Sequence, residues 1–312
     1  MIQIKDNVIR NLEDIANKHA EKLYALVKGR SKKHCPNDKI VTFISDNVKE
    51  ILSAKPDRLL ELHNEFQELL LINGLQNNIA FINKVFSYNY FINSKRYNAY
   101  ELAKLLNVNV CVYCNRQYTF TVQSNKLNII RPQFDHFFSQ EKYPLLSLSF
   151  YNLIPCCSLC NSSLKRTKVF ELHTHFHPYL EGFNDVMRFS FKGNSIAAYE
   201  GLEDNYVVDV IFDETSAKVE KVKRNAEDFK LGQIYGKHTD QIREIVRKYH
   251  ISGGDYIERL ANMFNLSLND QEEMYILAFG NYNHPEKYEL RPLSKFTHDI
   301  YRDVFIAKKG NK

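Results

Sequence analysis

The residues best equipped for chemistry are two cysteine pairs, Cys111-Val112-Tyr113-Cys114 and Cys157-Ser158-Leu159-Cys160, and the Asp135-His136 step between them. A Cys-x-x-Cys turn lets two thiolates reach one ion, and two such turns complete the closed tetrahedral site that structural zinc prefers. Asp135 offers a hard oxygen ligand, and His136 beside it is a base that titrates near neutrality. Metal-assisted hydrolysis of a phosphodiester calls for both kinds of group. Asn152 and Asn161 frame the second cysteine pair. Cys35 and Cys156 belong to no pair with ligand spacing and read as small hydrophobes. A redox role for the paired cysteines fits poorly, because two pairs flank one motif. Cysteines used in this way suit metal binding in a reducing compartment better than a disulfide framework.

The elements that must position these groups follow from periodicity. Residues 1 to about 105 keep helical spacing, as in Leu59, Leu62, Phe66, Leu69 and Leu70, with Pro56 placed to open a helix. From Tyr118 the period switches to two: Tyr118, Phe120 and Val122 alternate with Thr119 and Thr121. A turn at Gln123-Ser124-Asn125-Lys126 then leads into a second strand from Leu127 to Arg131. Asn152-Leu153-Ile154 reads as a short extended piece, and Cys160 to Phe170 as a helix. Beyond residue 180 two strands are expected, over Met187–Phe191 and Val207–Phe212. A long charged helix should span 216–250 and stop at Ser252-Gly253-Gly254.

The net charge is +5, and residues 101–180 hold eight Lys/Arg against four Asp/Glu, so most of the excess falls around the paired cysteines. That segment is the natural place for a polyanion. The apolar content of 44% and charged content of 25% are those of an ordinary globular protein. No apolar run approaches a membrane span, and the first residues have no signal-peptide layout, which points to the cytoplasm. A Gly-x-x-x-x-Gly-Lys-Ser/Thr phosphate loop is absent, so ATP hydrolysis by this chain is not expected.

Taken together, Cys111-x-x-Cys114, Asp135-His136, Asn152, Cys157-x-x-Cys160 and Asn161 resemble a zinc-knuckled HNH endonuclease of the ββα-metal class. The nine-residue step from Asn152 to Asn161 is similar to that of many members, and the core resemblance covers about residues 108–170. Phe229-Lys230-Leu231, Tyr235, His238, Arg291-Pro292-Leu293-Ser294-Lys295 and Asp299-Ile300 resemble the C-terminal half of HNH subunits from Septu-type and retron-associated anti-phage systems. The resemblance implies an α+β fold. A helical N-terminal region (1–105) would serve as scaffold or partner surface, 106–182 would form the HNH core, and 183–312 a mixed, mainly helical region.

The resemblance also implies roles. Cys111, Cys114, Cys157 and Cys160 would hold a structural Zn²⁺ that welds the knuckle to the helix. His136 would be the general base toward water. Asp135 and Asn161 would ligate a catalytic Mg²⁺ or Mn²⁺, with Asn161 standing where the class often has His. Asn152 would tie down the loop that positions His136. Lys165, Arg166 and Lys168 follow the ligand helix and could meet phosphates. His173, His175 and His177 alternate; a metal site could be imagined, with His177 as an auxiliary site residue, but alternation on a strand or loop is the simpler account.

Function and partners follow as expectations: a metal-dependent endonuclease acting on nucleic acid, DNA by default and RNA open. It would be the nuclease effector of a defence complex under control of an ABC-type ATPase. A non-catalytic zinc-bound nucleic-acid-binding or adaptor module is the alternative, but it has no use for an Asp-His step between the cysteine pairs.

Overall fold

The computed structural model describes residues 2–77, 79–124, 127–183, 186–264 and 271–306. Cα proximity groups the chain into two compact units. One comprises Ile4–Val108 with Thr119–Tyr179; the other comprises Met1–Gln3, Asn109–Tyr118 and Leu180–Lys312. The architecture is mixed α+β, with helices and three small antiparallel sheets among the described residues. No helix among them is long and apolar enough to cross a membrane.

The first unit begins with helices α1 (Leu12–His34), α2 (Asp38–Ser53) and α3 (Pro56–Ile72). Asn11 caps α1 by accepting from the Asp14 N–H, and Lys32, Lys33 and His34 sit in its last turn, where the helix dipole favours positive charge. Asn37 caps α2 in the same way, and Pro56 stands at the first turn of α3. Ile15, His19, Leu23 and Val27 make the buried stripe of α1, which packs along α2. Three shorter helices follow: α4 (Ala80–Val85), α5 (Tyr88–Ile92) and α6 (Ala99–Leu106).

Two β pairs complete that unit. β1 (Val122–Gln123) and β2 (Asn128–Ile130) form a short antiparallel hairpin. The alternation from Tyr118 predicted a longer strand, and a second one reaching Arg131. Phe120, Val122, Leu127, Ile129 and Ile130 are all exposed, and the paired strands stop at two and three residues. Of the expected turn, Asn125 and Lys126 lie outside the described residues.

β3 (Gln133–His136) pairs with β4 (Leu153–Cys156), setting Asp135 opposite Ile154 and His136 opposite Leu153. A π-helix, Leu159–Lys165, follows β4 and packs against β3. It is shorter than the helix expected to Phe170: Arg166 adopts φ +51° and its N–H bonds the Asn161 carbonyl, which closes the helix there.

In the second unit β5 (Met187–Gly193) and β6 (Tyr206–Phe212) form a regular antiparallel pair, as their alternation predicted, with the short helix α7 (Ile196–Tyr199) between them. The single helix expected over 216–250 is three: α8 (Val219–Asp228), α9 (Leu231–Tyr235) and α10 (Thr239–Ser252). Phe229 leaves the helical path to stack on Tyr113, with ring centroids 4.4 Å apart, and Lys230 turns the chain at φ +50°. The expected stop at Ser252-Gly253 is where α10 ends, with Gly253 left-handed at φ +68°. Helices α11 (Tyr256–Phe264), α12 (Gln271–Phe279) and α13 (Ser294–Tyr301) follow, α13 packing on β5.

Candidate metal centre and active site

The Sγ atoms of Cys111, Cys114, Cys157 and Cys160 lie within 4.8 Å of one another, and all four residues are buried. None of the six cysteines is in a disulfide. The Arg116 N–H points at Cys114 Sγ (3.4 Å) and the Cys160 N–H at Cys157 Sγ (3.5 Å). Donors aimed at sulfur favour the thiolate, the form that ligates metal. Four buried thiols set this close together could hold one zinc ion. Cys156, fully buried in β4, and half-buried Cys35 stand outside the cluster, and burial raises both thiols, Cys35 to about 11.

His136 ends β3, half-buried, with Tyr88 presenting a ring edge to it at 4.7 Å. Its Nε2 lies 2.9 Å from the Ser147 carbonyl. A carbonyl only accepts, so Nε2 must carry the proton and Nδ1 keeps the lone pair. Burial pulls the imidazole down to about 4, opposed in part by the Ser147 bond and the Asp135 charge, so the ring is neutral near pH 7. A neutral imidazole of fixed tautomer can receive a proton from water.

Asn152 is fully buried and bonds on every side. Its Oδ1 accepts from the Phe138 N–H (2.7 Å), and its Nδ2 donates to the carbonyls of Phe138 (3.1 Å) and Leu146 (2.9 Å). The amide ties the chain just after His136 to the residue before Ser147, whose carbonyl holds the imidazole.

Asp135 and Lys165 form a buried ion pair, Nζ to Oδ1 2.8 Å, with side chains 5% and 2% exposed. The same ammonium donates to the His136 carbonyl at 2.5 Å and lies 4.8 Å from the Phe170 ring centroid. One turn earlier Asn161 donates through Nδ2 to Gln133 Oε1 (2.9 Å), which also accepts from Ser162 Oγ (3.1 Å). The π-helix thus sets two rungs on one strand face: Asn161 on Gln133, and Lys165 on Asp135. With Nδ2 so engaged, the Asn161 amide oxygen makes no hydrogen bond among the described residues. A carboxylate and an amide oxygen are both hard oxygen ligands.

Lys165, read from sequence as a phosphate contact, is therefore engaged inside the protein, whereas Arg166 and Lys168 are exposed. Gln133 and Tyr88 were not singled out from sequence. Gln133 had one signal, its place two residues before Asp135 and hence on the same strand face. Tyr88 had none, since it comes from a distant helix. His175 stacks on Phe170 at 3.9 Å and His177 packs on Phe137 at 4.3 Å; His173 is exposed beside Glu171. The alternating histidines are spread over packing and surface positions.

The later strings gather on the knuckle within the second unit. The Tyr235 hydroxyl donates to the Cys114 carbonyl (2.6 Å), and Arg116 Nε to His238 Nε2 (2.8 Å). Asn115, at φ +50°, donates to the Tyr288 carbonyl (2.9 Å) and accepts from the N–H groups of Leu293 (2.5 Å) and Lys295 (3.2 Å). Lys295 and Asp299 form a buried pair (2.9 Å), and Asp299 also accepts from the Phe189 N–H.

No family model, curated protein or solved structure matches this chain.

Proposed function

We propose that this chain is a metal-dependent HNH endonuclease that hydrolyses phosphodiester bonds. The observation that carries the reading is His136: a neutral imidazole of fixed tautomer, one residue after Asp135 on a strand that packs against the helix bearing Asn161. In this reading His136 Nδ1 takes the proton of the attacking water, and Asn152 holds the segment so that the lone pair keeps its aim. Asp135 and Asn161 would hold a Mg²⁺ or Mn²⁺ ion, which supplies charge stabilisation at the scissile phosphate. The four-cysteine cluster would hold zinc as a structural ion. Arg166 and Lys168, both exposed, would meet the backbone of DNA or RNA in this reading. The resemblance of the later strings supports service as the effector of an anti-phage complex with an ABC-type ATPase.

The test is degradation of plasmid DNA and of structured RNA with Mg²⁺ or Mn²⁺, against the same reactions with chelator. Cleavage should need the divalent ion, and His136→Ala should lower it by about 10²–10⁴-fold, the usual worth of a general base, with zinc content unchanged. Near-normal cleavage by His136→Ala on every substrate would refute the assignment.

A further inference from the structure

The carboxylate assigned to a divalent ion already has a cation on it. We propose that Lys165 is an internal counter-ion that holds Asp135 until a divalent ion replaces it, so that ion binding proceeds by exchange of one cation for another. The proposal rests on the nuclease reading above and concerns the regulation of that same site. Both side chains are buried, with 2.8 Å between charged atoms. A carboxylate so covered is not left bare without large cost, so something must neutralise it whenever no metal is present. An ammonium in hydrogen-bond contact with Oδ1 and a divalent ion on the same carboxylate repel at close range in a medium of low dielectric.

The Lys165 side chain is buried against the Phe170 ring, but its place in the chain borders solvent. Lys165 is the last residue of the π-helix, and its neighbour Arg166 and nearby Lys168 are exposed. A displaced ammonium would therefore join two solvent-facing cations and add to the phosphate-binding surface as the ion arrives. Its second acceptor is the carbonyl of His136, so the exchange also releases the backbone of the base.

Mn²⁺ binding to the zinc-loaded full-length protein, read from the electron paramagnetic resonance signal of free Mn²⁺, tests this without reference to cleavage. Lys165→Met should bind Mn²⁺ at least about tenfold more tightly than wild type, because an uncompensated carboxylate remains. Lys165→Arg should match wild type, and Asp135→Asn should abolish binding. In wild type, acylation of Lys165 followed by mass spectrometry should rise severalfold when saturating Mn²⁺ is added. That measurement decides the question if Lys165→Met does not fold. Binding by Lys165→Met that is equal to or weaker than wild type, or Lys165 labelling unmoved by Mn²⁺, overturns the proposal. If wild type binds Mn²⁺ through Asp135 and cleaves, the nuclease reading survives that failure. Absence of Mn²⁺ binding in every variant overturns both.

Discussion

At the scale of single residues, Asn152 and His136 lie in one network but have opposite relations to stability. Asn152 is completely enclosed and meets three backbone groups. Asn152→Ala would leave the Phe138 N–H and the Phe138 and Leu146 carbonyls unsatisfied, and should cost about 2–4 kcal/mol. His136→Ala frees one carbonyl beside a half-buried ring and should cost much less, so urea unfolding of the two variants separates scaffold from chemistry. Equal losses would mean that the imidazole is itself a structural group. The residues for chemistry were legible because their types are rare and their spacing short. The engagement of Lys165 was not legible, because its partner is 30 positions away and only the β3–helix packing brings them together.

At the scale of elements, α1 brings a titratable ring into the core. His19 Nδ1 meets the Tyr97 hydroxyl (2.9 Å) and Nε2 the Leu148 carbonyl (2.7 Å), and burial holds the ring down to about 4. His177, enclosed against Phe137, is held down to about 3 by burial. Their unfolded counterparts titrate near 6.5, so below that pH the unfolded chain binds protons that the folded chain refuses. Stability should be complete above about pH 6.5 and fall toward pH 4 by about 1.4 kcal/mol per pH unit for each ring. Urea midpoints recorded between about pH 7 and pH 5 check this, and a midpoint that does not move would show that neither ring is neutral in the fold. Elements ruled by local pattern were readable in sequence: Pro56 opening α3, the β5–β6 pair, the Gly253 stop. The break of α8 from α9 was not, because it is imposed by Tyr113, 116 positions before Phe229.

The cysteine cluster makes a further prediction at this scale. Purified protein should contain close to one zinc per chain by elemental analysis. Cys157→Ser should lose the ion and be severely destabilised, since structural zinc contributes roughly 10–16 kcal/mol of apparent binding energy in small domains. Cys35→Ser, half-buried and outside the cluster, should cost less than about 1 kcal/mol. Equal damage from both, or wild type without zinc, would rule out the assignment.

At the scale of the whole molecule, the proposed chemistry occupies a small part of 312 residues. In the proposed reading the chain is a nuclease effector that works beside an ABC-type ATPase, which would restrain cleavage of the host's own nucleic acid. Coexpression with such an ATPase should give a stable hetero-oligomer on size exclusion, with cleavage responding to nucleotide. A chain that elutes alone and cleaves regardless of nucleotide would refute the partnership.

The knuckle has a consequence for the order of biosynthesis. Asn115 is anchored by backbone groups of Tyr288, Leu293 and Lys295, and Cys114 by Tyr235, all made 121 to 180 positions later. A chain emerging from the ribosome exposes the Asp-His step well before the segments that anchor Asn115 and Cys114. The turn that carries Cys111 and Cys114 therefore gains this tertiary support only once Lys295 has been made. A chain cut short before that point would bear all four cysteines of the cluster without it.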